Sequence, residues 1–340
     1  MSSTALKVVF LSVISYSAVS GGPLWSTVKL GGSFFLLVVG FLFLRQNDML
    51  YVPCPDPTLA PRRNSLNPSD VNLKYETVRI SASDNTRLHG WFIQQRSVES
   101  TKEAVTVLYF HGNAGNISHR LELLRDMQIL TGANIIAAEY RGYGESEGSP
   151  SETGIKQDAL AFYQYALNHE LIDSSKIIVF GRSLGGAVAC SLALHAQKSL
   201  PRHQQPLGLI LENTFTSVRD TAVALLPILN LVYYALRSPL LTNSWENIKL
   251  IPDLEYPILF LSSLKDEIVP PEQMKALKAS CRQYPNTMFC SFPYSGHNDM
   301  PVTGGSRYYD TIKTFLSTIL QKERTPRLRE KAKMDSRNLN

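Results

Sequence analysis

Cysteine is scarce in this chain, with Cys54, Cys190, Cys281 and Cys290 as the four among 340 residues. So few thiols, so irregularly spaced, exclude a zinc cluster and a disulfide framework, and they leave the redox compartment open. Cys190 sits in a stretch of small residues and is expected to fill the core. Cys281 and Cys290 could pair if a helix-to-strand connection brought them together. Charge is thin as well: 19% of residues are charged against 44% hydrophobic, which excludes a disordered chain. Of the formal +5, residues 321–340 carry +4, from seven Lys/Arg and three Asp/Glu. The body is therefore nearly neutral and gives no sign of nucleic-acid binding, while the tail reads as a basic flexible end that could meet anionic lipid. Repeats and low-complexity tracts are missing, as are a Walker lysine and a Gly-x-Gly-x-x-Gly spacing.

Long apolar runs are also rare. The uncharged run from Leu30 to Leu44, bracketed by Lys29 and Arg45, falls short of the roughly 17 to 25 residues that a bilayer span needs. If Lys29 snorkels, the run extends back to Leu24 and Trp25, so a transmembrane helix is expected at about 24–44 within an N-terminal membrane segment, 1–45. The earlier stretch Val8 to Val19, interrupted by Ser12, Ser15, Tyr16 and Ser17, is expected to be an uncleaved membrane-associated segment; a signal peptide or a second span are the alternatives. Lys7 and Lys29 on one side face Arg45, Arg62 and Arg63 on the other, which leaves orientation open. Residues 46–72, with Pro53, Pro55, Pro57, Pro61 and Pro68, predict a semi-rigid linker that excludes helix and lifts the next domain off the membrane.

What is present begins at residue 73. Residues 73–94 alternate like a β-hairpin turning at Ser83-Asp84-Asn85. Short continuous apolar runs separated by helical stretches follow, the pattern of buried parallel strands and their crossovers. Strands are predicted at 105–110, 134–140, 176–180, 207–211, 258–261 and 288–292. Helices are predicted at 118–130, 153–169, 184–197 and 305–320. The fold class is α/β, with a mostly parallel central sheet flanked by helices over residues 73–320 and a small helical cap at about 214–252.

Gly181-Arg182-Ser183-Leu184-Gly185 lies between the strand Ile177-Ile178-Val179-Phe180 and a helix that opens with Gly185, Gly186, Ala187 and Ala189. That is the context a nucleophile elbow needs: a strained strand-to-helix turn with small neighbours where the backbones approach. A serine needs a base within reach and a third group to fix that base. His297, after the last strand, is the best base, since His111 is in the wrong loop and His89, His119, His169, His195 and His203 fall on helix, strand or surface positions. Asp266 follows the strand at 258–261 and is the expected third member; Glu212, also at a strand end, is the competing orienter, and Glu267 reads as a surface charge. The order Ser183, Asp266, His297, all at carboxyl ends of strands, is that of the α/β-hydrolase fold. An oxyanion hole is expected from the backbone N–H groups of Leu184 and of Asn113, the latter in the loop His111-Gly112-Asn113-Ala114-Gly115-Asn116. The glycosylation sequon Asn116-Ile117-Ser118 falls in that same loop and so says little about exposure. Neither a metal nor an organic cofactor is required by this chemistry.

His-Gly-Asn-Ala-Gly-Asn at 111–116, Tyr-Arg-Gly-Tyr-Gly-Glu-Ser at 140–146, Gly-Arg-Ser-Leu-Gly-Gly at 181–186, Glu-Asn-Thr-Phe at 212–215 and Gly-His-Asn-Asp at 296–299 together resemble the membrane-anchored α/β-hydrolase domain-containing proteins. The resemblance runs from the N-terminal segment to about residue 320. It implies a single-pass, type II membrane serine hydrolase with the triad on Ser183, Asp266 and His297, and nearby relatives act on acylated proteins and lipids. Hydrolysis of an ester or thioester in an acylated, lipid-like substrate at a lipid bilayer is therefore expected. The apolar stretches Val223 to Leu229 and Leu231 to Leu236 in the cap suit an acyl chain or equally pack the cap onto the core; Pro227 should break the cap helix. A membrane-tethered serine aminopeptidase is the rival enzyme, for which no acidic cluster to bind an amino terminus is evident. A catalytically silent binding protein on the same fold is the rival from another class.

Overall fold

The computed structural model describes residues 23–54, 66–227, 229–230, 243–282 and 287–337. The chain divides into two units, residues 1–50 with 230–242 and residues 51–229 with 243–340. In the first, the described structure centres on a single long helix, α1 (Pro23–Leu50). It covers the expected helical segment and runs six residues past Leu44, because nothing between Arg45 and Leu50 breaks it and the next proline after Pro23 comes only at Pro53. The prediction that helix is excluded from 46 onward is corrected accordingly. Among the described residues no helix is long and apolar enough to cross a membrane, so the expected transmembrane helix is not supported by the structure. The stretch Val8 to Val19 and residues 55–65 of the expected linker lie outside the described residues.

The second unit is built on one eight-stranded sheet. Its strands are β1 (Tyr75–Ser81), β2 (Arg87–Ile93), β3 (Thr106–Phe110), β4 (Asn134–Ala138), β5 (Ile177–Arg182), β6 (Gly208–Glu212), β7 (Ile258–Ser263) and β8 (Met288–Phe292). They lie in the order β1-β2-β4-β3-β5-β6-β7-β8. The hairpin β1–β2 is antiparallel, β2 runs antiparallel to β4, and every pairing from β4 to β8 is parallel. Edge position and sequence agree: β1 alternates buried and exposed residues, whereas β3, β4, β5, β6 and β7 are buried throughout. A strand covered on both faces cannot alternate, which is why the central ones read as continuous apolar runs.

Helices cover both faces, as crossovers between parallel strands require. After the short α2 (Val98–Glu103) come α3 (Leu121–Thr131), α4 (Glu152–Asn168) and α5 (Leu184–Ser199). The chain closes with α6 (Val218–Leu225), α7 (Asn247–Leu250), α8 (Pro271–Ser280), α9 (Met300–Thr303) and α10 (Gly305–Arg337). On one face Leu121, Leu124 and Met127 of α3 join Tyr308, Ile312, Phe315 and Ile319 of α10 over Val107, Tyr109 and Phe180. The basic stretch expected to be a flexible tail from 321 is instead a continuation of α10 to Arg337, in keeping with its Lys, Arg and Glu, which favour helix. The cap helix α6 stops at Leu225, two residues before Pro227, as the proline demands. The second apolar cap stretch, 231–236, lies outside the described residues.

All four cysteines are free. Cys281 caps the end of α8 with its thiol toward the carbonyl of Arg282 at 3.2 Å, while Cys290 on β8 faces the Thr311 hydroxyl at 3.8 Å. The two thiols have separate neighbours, so the pairing considered from sequence does not form. Cys190 is fully buried in α5, as expected of a core filler.

Candidate active site

Three parallel strands deliver three side chains to one point. β5 ends at Arg182 and α5 begins at Leu184, so Ser183 alone makes the turn, at φ +53° and ψ −117°. A non-glycine residue in that region is strained, and the strain is held by its neighbours. The Ser183 N–H donates to the Glu212 carbonyl at 2.8 Å, and the Ser183 carbonyl accepts from the Thr214 hydroxyl at 2.8 Å. The turn also needs glycine on either side. A Cβ on Gly181 would meet the backbone of Gly185, and one on Gly185 would meet the carbonyls of Phe110 and His111.

His297 follows β8, and its Nε2 lies 3.0 Å from Ser183 Oγ. Its Nδ1 lies 2.7 Å from Asp266 Oδ2. A carboxylate only accepts, so Nδ1 carries the proton and Nε2 is left as acceptor for the serine O–H. Asp266, just past β7, is fixed through Oδ1, which accepts the N–H groups of Ile268 at 2.9 Å and Val269 at 2.7 Å. The side chains of Asp266 and His297 are both nearly buried. Ser183, Asp266 and His297, far apart in sequence, are thus brought into one hydrogen-bonded relay.

The competing orienter, Glu212, does something else. It forms a buried ion pair with Arg182 at 3.1 Å and accepts from the Tyr308 hydroxyl at 2.6 Å. Burial pushes the Glu212 carboxyl pKa up, opposed by Arg182 and by the Tyr308 hydrogen bond. Arg182 in turn donates to the His297 carbonyl at 2.8 Å and to Asn298 Oδ1 at 2.6 Å. Asn213, itself at φ +45°, donates to the same carbonyl at 3.2 Å. Glu267 has an exposed side chain, as expected, yet its carboxylate also accepts the His297 N–H at 3.1 Å. Sequence reasoning missed these four supports; the position of Arg182, Glu212 and Asn213 at the ends of β5 and β6, beside Ser183, was the signal available.

The two residues predicted to supply oxyanion donors flank Ser183 from different elements. Leu184 is the buried first residue of α5. Asn113 lies in the loop after β3, where a Cβ on Gly112 would stand 3.6 Å from Ser183 Cβ. The Asn113 carbonyl accepts from the Tyr143 hydroxyl at 2.8 Å and from the Val52 N–H at 3.1 Å. At the base of the loop His111 is fully buried, and its Nδ1 donates to the Gly112 carbonyl at 2.7 Å. Burial, with Arg120 close by, lowers its pKa to about 3, so the ring is neutral near neutral pH. Asn116 is buried and caps the following turn through Oδ1, which accepts from Ser118 N–H and Oγ.

Among the described residues no group of three or more His, Cys, Asp or Glu side chains is placed to hold a metal ion. An open groove of about 520 Å³ lies elsewhere, between β1 and α4, and holds none of the predicted site residues.

Known proteins resemble this chain at several levels. A family model for the α/β-hydrolase fold matches residues 105–203, which span β3 to the end of α5 and include Asn113, Ser183 and Leu184. The α/β-hydrolase domain-containing protein WAV2 of Arabidopsis thaliana is 39% identical over 86% of this chain and 94% of its own length. An uncharacterized membrane protein of Saccharomyces cerevisiae, YNL320W, is 34% identical over 86% of this chain and 98% of its own. Among solved structures, the Pyrococcus furiosus esterase Pf2001 superposes with a TM-score of 0.59 at 17% identity, covering 75% of this chain and 97% of that one; a likeness at that identity speaks to the fold.

Proposed function

The chain belongs to the α/β-hydrolase domain-containing protein family, and on that premise we propose that it is a serine hydrolase that cleaves a carboxylic ester or thioester through an acyl-enzyme at a membrane surface. The observation that carries this reading is the relay from Asp266 through His297 to Ser183, with distances of 2.7 and 3.0 Å. His297 Nε2 takes the proton of Ser183 Oγ as that oxygen attacks the acyl carbon. The oxyanion that forms is met by the N–H groups of Asn113 and Leu184. Collapse of the tetrahedral intermediate expels the alcohol or thiol, which leaves with the proton from His297. Water, deprotonated by the same nitrogen, then attacks the acyl-enzyme, releases the acid and returns the proton to Ser183.

Apolar surface supports a lipid-like substrate and a bilayer partner. Leu225 and Leu226, at the end of the cap helix α6, are half exposed, and α1 exposes Leu30, Phe34, Phe41 and Leu44. A relative named as a membrane protein points the same way. In this reading the N-terminal segment that includes α1 holds the chain at the bilayer surface and the cap receives an acyl chain.

The test is fluorophosphonate labelling of the full chain in carbonate-washed membranes, paired with turnover of short-chain acyl esters and thioesters. Wild type should be labelled in the membrane fraction. Ser183→Ala should abolish labelling and lower turnover at least ~10³-fold while the fold survives. Labelling that persists in Ser183→Ala overturns the assignment, and recovery of the chain in the supernatant overturns the membrane placement.

A further inference from the structure

Besides β3 and side chains such as Tyr143, the loop that carries Asn113 has a support that comes from the N-terminal side of the domain. Two residues past the end of α1, Val52 forms a parallel bridge with Ala114. Its N–H donates to the Asn113 carbonyl at 3.1 Å, and its carbonyl accepts the Gly115 N–H at 3.0 Å. The residue beside it is anchored just as firmly. Tyr51 is buried, donates from its hydroxyl to Asn243 Oδ1 at 2.7 Å, and accepts the Trp245 Nε1–H at 3.0 Å. Asn243 and Trp245 form the stem by which the chain returns from the cap, and Glu152 secures that stem by accepting the N–H groups of Ser244 and Trp245.

The loop needs such a support. Gly112 and Gly115 give it freedom, and Gly115 sits at φ +73°. An oxyanion donor works only if it is aimed before the charge develops, and a displacement of a fraction of an ångström weakens it. The Asn113 carbonyl and N–H flank one Cα, so fixing the carbonyl restricts where the N–H points. Two donors fix it, the Tyr143 hydroxyl from within the domain and the Val52 N–H from outside its predicted boundary.

We propose that Tyr51 and Val52 are positioning residues: a strap that sets the oxyanion loop through the Val52 backbone and ties it to the stem of the cap through the Tyr51 hydroxyl. The strap rests on the hydrolase reading for its catalytic consequence, though not for its existence as a loop support. The backbone next to α1 thereby steadies the site from outside it, and a chain begun at the hydrolase domain proper would hold the relay with a loosened oxyanion loop.

Val52→Pro removes the donated N–H, whereas Val52→Ala keeps both backbone bonds. In the full chain in detergent micelles, Val52→Pro should lower kcat on a short-chain p-nitrophenyl ester about 10- to 100-fold. KM should stay within about twofold and the pH midpoint of kcat should not move, since the relay is untouched. Amide hydrogen exchange in 112–116 should accelerate in the same variant, and Val52→Ala should match wild type in both readouts. Should Val52→Pro fail to fold, Tyr51→Phe, which removes only the hydroxyl, should show the same pattern more weakly. Unchanged exchange in 112–116, or an equal loss in Val52→Ala, overturns the strap. If wild type shows no Ser183-dependent turnover at all, the hydrolase reading fails, and the exchange data still decide whether the strap exists.

Discussion

Ser183 and Asn213 stand at the ends of neighbouring strands, and both hold positive φ without being glycine. Each is held there by what its backbone and side chain bind, so the strain marks the place where the site is assembled. His111, at the base of the loop after β3, is a different kind of special residue, because it is neutral by burial. Its folded pKa of about 3 lies below the ordinary histidine value of about 6.5. The unfolded chain therefore binds a proton that the folded chain refuses, and this contribution to stability is complete above pH 6.5 and drains away as pH falls toward 3. Wild type should lose stability more steeply than His111→Gln between pH 6 and 4, by up to ~1.4 kcal/mol per pH unit. Urea melts across that range measure the two slopes, and equal slopes would contradict it. The relay itself was legible because serine, aspartate and histidine each follow a strand in the order the fold demands. The partners of Glu212 and Glu267 were not legible because sequence position shows that a carboxylate is near a site, and only packing shows which group it faces.

At the scale of elements, one tight junction is the approach of the α5 N-terminus to the end of β3. A methyl group on Gly185 would collide with two carbonyls of that strand end, neither of which can move without opening the sheet. Gly185→Ala should cost about 3 kcal/mol or more, or yield no soluble protein. Gly132→Ala is the control: Gly132 also ends a helix, at φ +72°, but its missing side chain would meet nothing, so only about 1 to 2 kcal/mol of backbone strain is expected. Chemical denaturation of both variants tests the difference. Strand positions were legible to within two or three residues because a strand buried on both faces must be a short unbroken apolar run between polar turns. Helix α8 was not, since only Met274 and Leu277 of its apolar residues face the core and a ten-residue helix with two such positions has no visible period. Nor was the pairing of Val52 with Ala114, because a single bridge between segments 62 residues apart leaves no local pattern.

For the whole molecule, the fate of the thiols follows from burial. Cys190 and Cys281 are buried, Cys54 and Cys290 are partly exposed, and burial pushes the Cys190 pKa up to about 12. Native protein should therefore react rapidly with iodoacetamide at Cys54 and Cys290 alone, and denatured protein at all four. Mass spectrometry of the alkylated peptides reads the sites; rapid labelling of Cys190 in native protein would contradict the packing of α5. The sheet order has a consequence for how the protein comes to life. Ser183 and His297 are 114 residues apart, and β6 and β7 lie between the strands that carry them. A ribosome releases the serine long before the histidine, and parallel strands pair slowly because each closure spans a crossover. Throughout that interval Ser183 is an ordinary alcohol, and on the proposed reading the nascent chain becomes reactive only when its last strand docks.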